Sequence, residues 1–295
     1  MATTPMKPWD RIDYSAIIDR PPLKLPDDAR MVVWTIVNVE DWDIDSPMPR
    51  QVLSPPQGQP LQPDIPNWSW HEYGMRVGFW RIHELLESIG IKPTLATNGR
   101  VLETYRRIAE AAHTSGWEFM GHGYVQRPMH KVDDQRAAIR KTMNAIKDLT
   151  GKAPVGWESP GLTETFDTLD ILAQEGIKYV ADWVFDDQPV QIKTTSGPMV
   201  SLPYTVETND VPFFGLQSHA SDDFMKRAIA QFDRLYKESK KITRIMAISL
   251  HPYLSGVPHR IGYLEQLYDH IQAKPGVKFW TGAETLDWYN AQIKE

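Results

Sequence analysis

The chain has 295 residues, 41% hydrophobic and 24% charged, which is enough length and apolar content for one large α/β domain. Its 32 basic and 38 acidic residues leave a net charge of -6 with no Lys/Arg-rich block, so a nucleic-acid partner has no electrostatic support. Cysteine is absent, which excludes disulfides, thiolate chemistry and cysteine-ligated zinc or iron–sulfur centres.

The N-terminal sequence has no basic segment followed by an apolar run, and no long apolar stretch follows anywhere. The expectation is a cytoplasmic protein without a membrane partner. Residues 1–30, with Pro21, Pro22 and Pro26, read as an extended lead-in. Residues 31–295 read as one catalytic domain. Met31–Val39 is an unbroken β-branched and apolar run, as in a strand buried on both faces. The proline-rich stretch 47–66 reads as a long loop, and such loops are commonly functional.

Beyond it the pattern alternates. A helix is predicted over Arg76–Ser88, a strand over Pro93–Thr97 and a helix over Val101–Ser115. A strand follows at Trp117–Met120, a helix at Asp133–Leu149 and a strand at Val155–Glu158. Then come a helix at Thr163–Gly176 and strands at Tyr179–Asp182 and Met199–Leu202. The last elements are a helix at Asp222–Ser239, a strand at Ile245–Leu250, a helix at Gly262–Ile271 and a strand at Val277–Trp280. Strand–helix–strand repetition predicts a mostly parallel sheet wrapped by helices, as in a distorted (β/α) barrel, with an open doubly wound sheet as the structural alternative.

Active sites of barrels gather at the C-terminal ends of the strands. Four predicted strands end in Glu40-Asp41, His122, Glu158 and His251. An acidic pair at a strand end can simply be solvated, and a lone histidine after a strand is commonly structural. Their convergence on one rim is what points to proton transfer and hydrolysis. Glycines flank His122, which permits close backbone approach to a ligand. The aromatic run Trp68-Ser-Trp70-His71-Glu72-Tyr73 either lines a pocket or packs. No P-loop, dinucleotide glycine pattern, HExxH or GxSxG elbow is present.

At these residues the chain resembles the polysaccharide deacetylase family, and the resemblance implies its NodB-like α/β barrel. Glu40-Asp41 matches the family's opening acidic pair. Gly121-His122-Gly-Tyr-Val-Gln126 matches its His-x-x-x-His motif with glutamine in the second histidine's place. Gly156-Trp157-Glu158-Ser159-Pro160-Gly161 matches its third motif, with Glu158 where an arginine is usual. Ser249-Leu-His251-Pro matches its last catalytic histidine. Glu72–Gly78, Asp182–Pro189, Pro203–Asp210 and Gly256–Arg260 resemble the allantoinase-like and cyclic-imide-hydrolase-like branch.

The resemblance implies an amidohydrolase that opens a small cyclic amide or imide. Glu40 or Asp41 would take a proton from water, with its pKa raised by the acidic neighbour. His122 would orient the water or the oxyanion, and His251 would protonate the leaving nitrogen. Trp68, Trp70, Tyr73, Gln126, Trp157 and Glu158 are the expected pocket residues, with Arg76 on a substrate oxygen. No tightly bound metal is expected. A weakly held divalent ion such as Zn would use Asp41 and His122. The branch also implies a homo-oligomer, commonly a tetramer. The rival readings are a metal-dependent deacetylase of N-acetyl sugars and an inactive binding protein on the same fold.

Overall fold

The computed structural model describes residues 5–293. Its sheet contains nine strands among those residues: β1 Met31–Val39, β2 Thr94–Thr97, β3 Glu118–Gly121, β4 Gly156–Trp157, β5 Tyr179–Val180, β6 Val190–Ile192, β7 Met199–Ser201, β8 Arg244–Leu250 and β9 Val277–Phe279. Their order is β6-β7-β5-β4-β3-β2-β1-β8, and β9 also pairs with β1. Every pairing is parallel except that of β6 with β7. The sheet therefore curls into an incomplete barrel, the distorted form expected. β6, a short antiparallel edge strand, was not predicted.

β1 is buried along its whole length because both faces are covered. One face packs on the main apolar cluster, with Val33 and Val37 against Phe79, Ile82 and Leu86 of the helix Phe79–Ser88. The other holds Trp34 and Ile36 against Tyr179, Leu202 and Leu286. The seam between the edge strands β8 and β6 is not closed by a ladder. An isolated bridge joins Asn209 to Ser249, and Ser249 N–H donates to Thr208 O at 3.0 Å.

Several boundaries differ from expectation. The helix predicted from Arg76 begins at Ile65, passes through a π-helical turn at Gly74–Gly78 and continues to Ser88. Asp64 caps its start by accepting from Asn67 N–H, so the loop ends earlier than the proline content suggested. The predicted Val101–Ser115 helix breaks at Tyr105. The short helix Pro252–Ser255 and the helix Gly282–Gln292 were not anticipated. The lead-in lies against the body: Arg11 pairs with Asp170 at 2.7 Å and Arg20 with Asp186 at 2.6 Å. No helix among the described residues is long and apolar enough to cross a membrane.

Candidate active site

Five neighbouring parallel strands, β4, β3, β2, β1 and β8, end on one edge of the sheet. The residues immediately after them are Glu158, His122, Asn98, Glu40 and His251. Parallel register thus converts separations of more than two hundred residues into one cluster. Glu40 Oε1 stands 3.5 Å from His251 Nε2 and 3.9 Å from His122 Nε2. Glu158 Oε1 is 3.9 Å from the other nitrogen of His122. Glu40, His122 and His251 are 2%, 1% and 4% exposed, so their charges interact with little screening by water.

Each group is held by further bonds. Trp42 Nε1 donates to Glu40 Oε2 at 2.6 Å, and the Trp42 ring stacks on His71 at 4.4 Å. His122 Nδ1 lies 2.8 Å from the carbonyl of Glu158. A carbonyl only accepts, so Nδ1 carries a proton and Nε2 is turned toward Glu40. His251 Nδ1 lies 2.6 Å from Asp210 Oδ1, while Asp210 Oδ2 accepts from His251 N–H at 2.7 Å and Ser255 Oγ at 2.6 Å. Asp210 thereby fixes the ring and directs Nε2 at Glu40.

The ionisation follows from these neighbours. Burial opposes charge on His251, but Asp210 and Glu40 lift its pKa to about 9. Burial likewise opposes charge on His122, and Glu40 and Glu158 overcome it and raise its pKa. Burial would raise Glu40; the two imidazoles outweigh it and hold the carboxyl well below the usual range. This reverses the expected direction, because Asp41 turns away to Arg100 and Glu40 faces cations instead. The raised carboxyl is Glu158, which burial pushes to about 7.

Asp41 occupies a different position from the one expected of a base. Its Oδ1 accepts from Arg100 Nε at 2.8 Å and from a second guanidinium nitrogen. Asp41 N–H donates to Asn98 Oδ1 at 2.8 Å. Asn98 Nδ2 in turn donates to the His122 carbonyl and to Gln126 Oε1, the latter at 3.2 Å. Asp41 Oδ2 and His122 Nε2 are buried without hydrogen-bond partners among the described residues. Two such donors are too few for a catalytic zinc, which takes three protein ligands. The third place belongs to a neutral amide already accepting from Asn98, and the Arg100 cation repels a dication. At the positions named for a metal, Asp41 and His122 thus offer two free donors beside a neutral amide and a cation.

The predicted pocket residues divide. Gln126 stays beside the cluster through Asn98, and Trp70 packs edge-on against Trp42 and Tyr253 at 6.3 and 4.9 Å. Trp68 packs on the main core. The Arg76 side chain is 75% exposed and pairs with Glu72 at 3.3 Å. Tyr73 is turned to Arg81, whose Nη1 donates to its hydroxyl at 2.9 Å. Trp157 is fully buried core: its ring fills the space left by Gly121, where a Cβ would come within 2.6 Å of it. Asp210, Arg100 and Asn98 are site residues that the sequence patterns do not single out, although Asp210 closes the segment Pro203–Asp210.

The polysaccharide deacetylase family pattern matches residues 70–180. The crystal structure of PuuE allantoinase superposes with a TM-score of 0.84 at 25% identity, covering 96% of this chain and 100% of that one. The chain carries the polysaccharide deacetylase fold. A probable polysaccharide deacetylase from Pseudomonas aeruginosa, also 25% identical, superposes over 94% of this chain and 98% of its own with a TM-score of 0.84. The peptidoglycan deacetylase of Helicobacter pylori is 26% identical over 247 residues, 72% of this chain and 83% of its own. Within this deacetylase fold, the strand-end cluster is the chemically equipped site.

Proposed function

We propose that this chain opens a small cyclic amide or imide by adding water to a ring carbonyl, without a tightly bound metal. It is a deacetylase-fold hydrolase of non-peptide carbon–nitrogen bonds; the ring substrate and the metal independence are the proposal. The observation that carries it is Glu40 poised between two imidazoles while Arg100 holds Asp41. The likeness to an allantoinase over the whole of that chain supports the same reading.

In this reading Glu40, ionised throughout the neutral range, accepts a proton from a water molecule between it and His122 Nε2. The water oxygen bonds to the ring carbonyl carbon, and the oxyanion develops beside His122 Nε2, which donates in the protonated form that the raised pKa favours. The carbon–nitrogen bond then breaks as His251 Nε2 gives its proton to the leaving nitrogen. The proton on Glu40 returns to His251. An imide nitrogen leaves more readily than an ordinary amide nitrogen, so imidazolium assistance suffices where a plain amide calls for a stronger electrophile. The near-complete burial of the three groups strengthens each charge interaction.

The test is turnover of succinimide, hydantoin, allantoin, a linear amide and N-acetylglucosamine oligomers, before and after exhaustive chelation. Ring opening that survives chelation is expected. Activity confined to acetylated sugars and restored by stoichiometric zinc would instead establish the metal-dependent deacetylase. That rival draws its support from the H. pylori relative.

A further inference from the structure

Beside the segments that follow β1, β3 and β4 lies a cavity of about 580 Å³, within the range of small-ligand sites. One wall is the 46–50 segment of the long loop, the second runs from Gln126 to Lys131, and the third is Pro160–Thr163. Its floor adjoins the catalytic cluster. Gln126 N–H donates to the Asp41 carbonyl at 3.0 Å, and its side chain accepts from Asn98. Pro160 is two residues beyond Glu158.

The lining is cationic in a chain of net charge -6. Arg50, Arg127 and Lys131 face the cavity, and no carboxylate is among its lining residues. Arg127 has an acidic neighbour in Asp43 at 3.6 Å. Arg50 donates only to its neighbour's carbonyl, Pro49 O, at 2.7 Å, and its Nε is buried with no partner among the described residues. A buried guanidinium N–H without an acceptor is costly unless a ligand supplies one. Burial and Glu40 raise the pKa of the Tyr253 hydroxyl, and Arg50 opposes the rise.

We infer that this cavity seats a carboxylate carried by the substrate, with Arg50 as its principal partner and Arg127 and Lys131 supporting. The inference rests on the ring-opening reading of the site and narrows the substrate to a cyclic amide or imide bearing an anionic arm. The arm sits between loop and sheet while the ring carbonyl reaches Glu40.

The experiment is calorimetric titration of His251→Ala protein, in which the ring is not consumed, with succinimide and with a succinimide bearing a carboxylate arm. The carboxylated ring should bind at least about tenfold more tightly, as expected for charge-assisted recognition. Arg50→Gln should remove most of that advantage, and Lys131→Gln part of it, without changing the affinity for succinimide. Raising ionic strength should erode the same advantage. Equal affinity for the two rings, or an Arg50→Gln loss common to both, would overturn the inference. Failure of the ring-opening reading is separately visible: wild-type protein would bind the carboxylated ring through Arg50 yet open neither ring.

Discussion

His251 is set by two bonds to one carboxylate, one from its ring and one from its backbone N–H, and that arrangement makes its acid role testable through Asp210. With a pKa lifted to about 9, His251 remains protonated across the neutral range and loses its proton only above it. Activity should therefore fall along an alkaline limb near pH 9. Asp210→Asn keeps the shape but removes the charge, so the limb should move toward neutrality and kcat should drop roughly 10²–10⁴-fold, the scale of a positioned acid or base. A pH–rate profile of the two proteins checks this; an unmoved limb would mean that another group governs it. Glu158 gives a second prediction at this scale. Its folded pKa, about 7, lies above its value of 4.5 in an open chain, so the folded state holds the proton more tightly. The sign is that stability is lost as pH rises from 4.5 through 7, up to roughly 3 kcal/mol. Glu158→Gln escapes that loss, so its melting temperature relative to wild type should improve from pH 5 to pH 8. Legibility at this scale followed topology. Glu40, His122, Glu158 and His251 could be located because each directly follows an apolar strand. Asp210 follows no strand and precedes the π-helical turn Val211–Leu216, so periodicity gave no pointer to it. Arg100 meets Asp41 across 59 residues, a pairing that spacing cannot reveal.

Among the elements, the contact between the π-helical turn Gly74–Gly78 and the short helix Pro252–Ser255 supports the site from below. A Cβ on Gly78 would come within 2.2 Å of the Pro252 carbonyl, and one on Gly256 within 2.3 Å of the Gly78 carbonyl. The two backbones touch because neither position has a side chain, and this keeps Pro252, next to His251, against the helix that begins at Ile65. Gly78→Ala should destabilise the fold by roughly 1–3 kcal/mol, the usual penalty of overpacking a tight core. Thermal melting measures it, and a change below a few tenths would show that the elements part easily. The sequence pattern revealed every parallel strand here, since each is a short apolar run bounded by polar or helical segments. It did not reveal β6, whose antiparallel edge position leaves Val190 and Gln191 incompletely buried. It also misplaced the start of the Ile65 helix, because prolines signal loop as readily as the first helical turn.

On the scale of the molecule, the sheet is a barrel left open between its edge strands β6 and β8. The seam is spanned by the segment 208–210, through the Ser249 N–H bond to Thr208, the Thr208 hydroxyl bond to the Ala247 carbonyl at 2.5 Å and the Asp210 bonds to His251 and Ser255. The acid and the carboxylate that charges it thus stand on opposite banks of the least continuous part of the sheet. Local opening takes place where cooperative hydrogen bonding is thinnest. Loss of function on heating should therefore run ahead of loss of structure: residual ring-opening rate should decline several degrees below the midpoint seen by circular dichroism. Coincident curves would mean that the seam is as durable as the ladders beside it. Brief warming followed by rapid cooling should then restore activity in full, since resealing the gap requires no refolding of the helices. The open seam would act as a reversible thermal fuse, setting the temperature at which catalysis stops independently of the temperature at which the protein is destroyed.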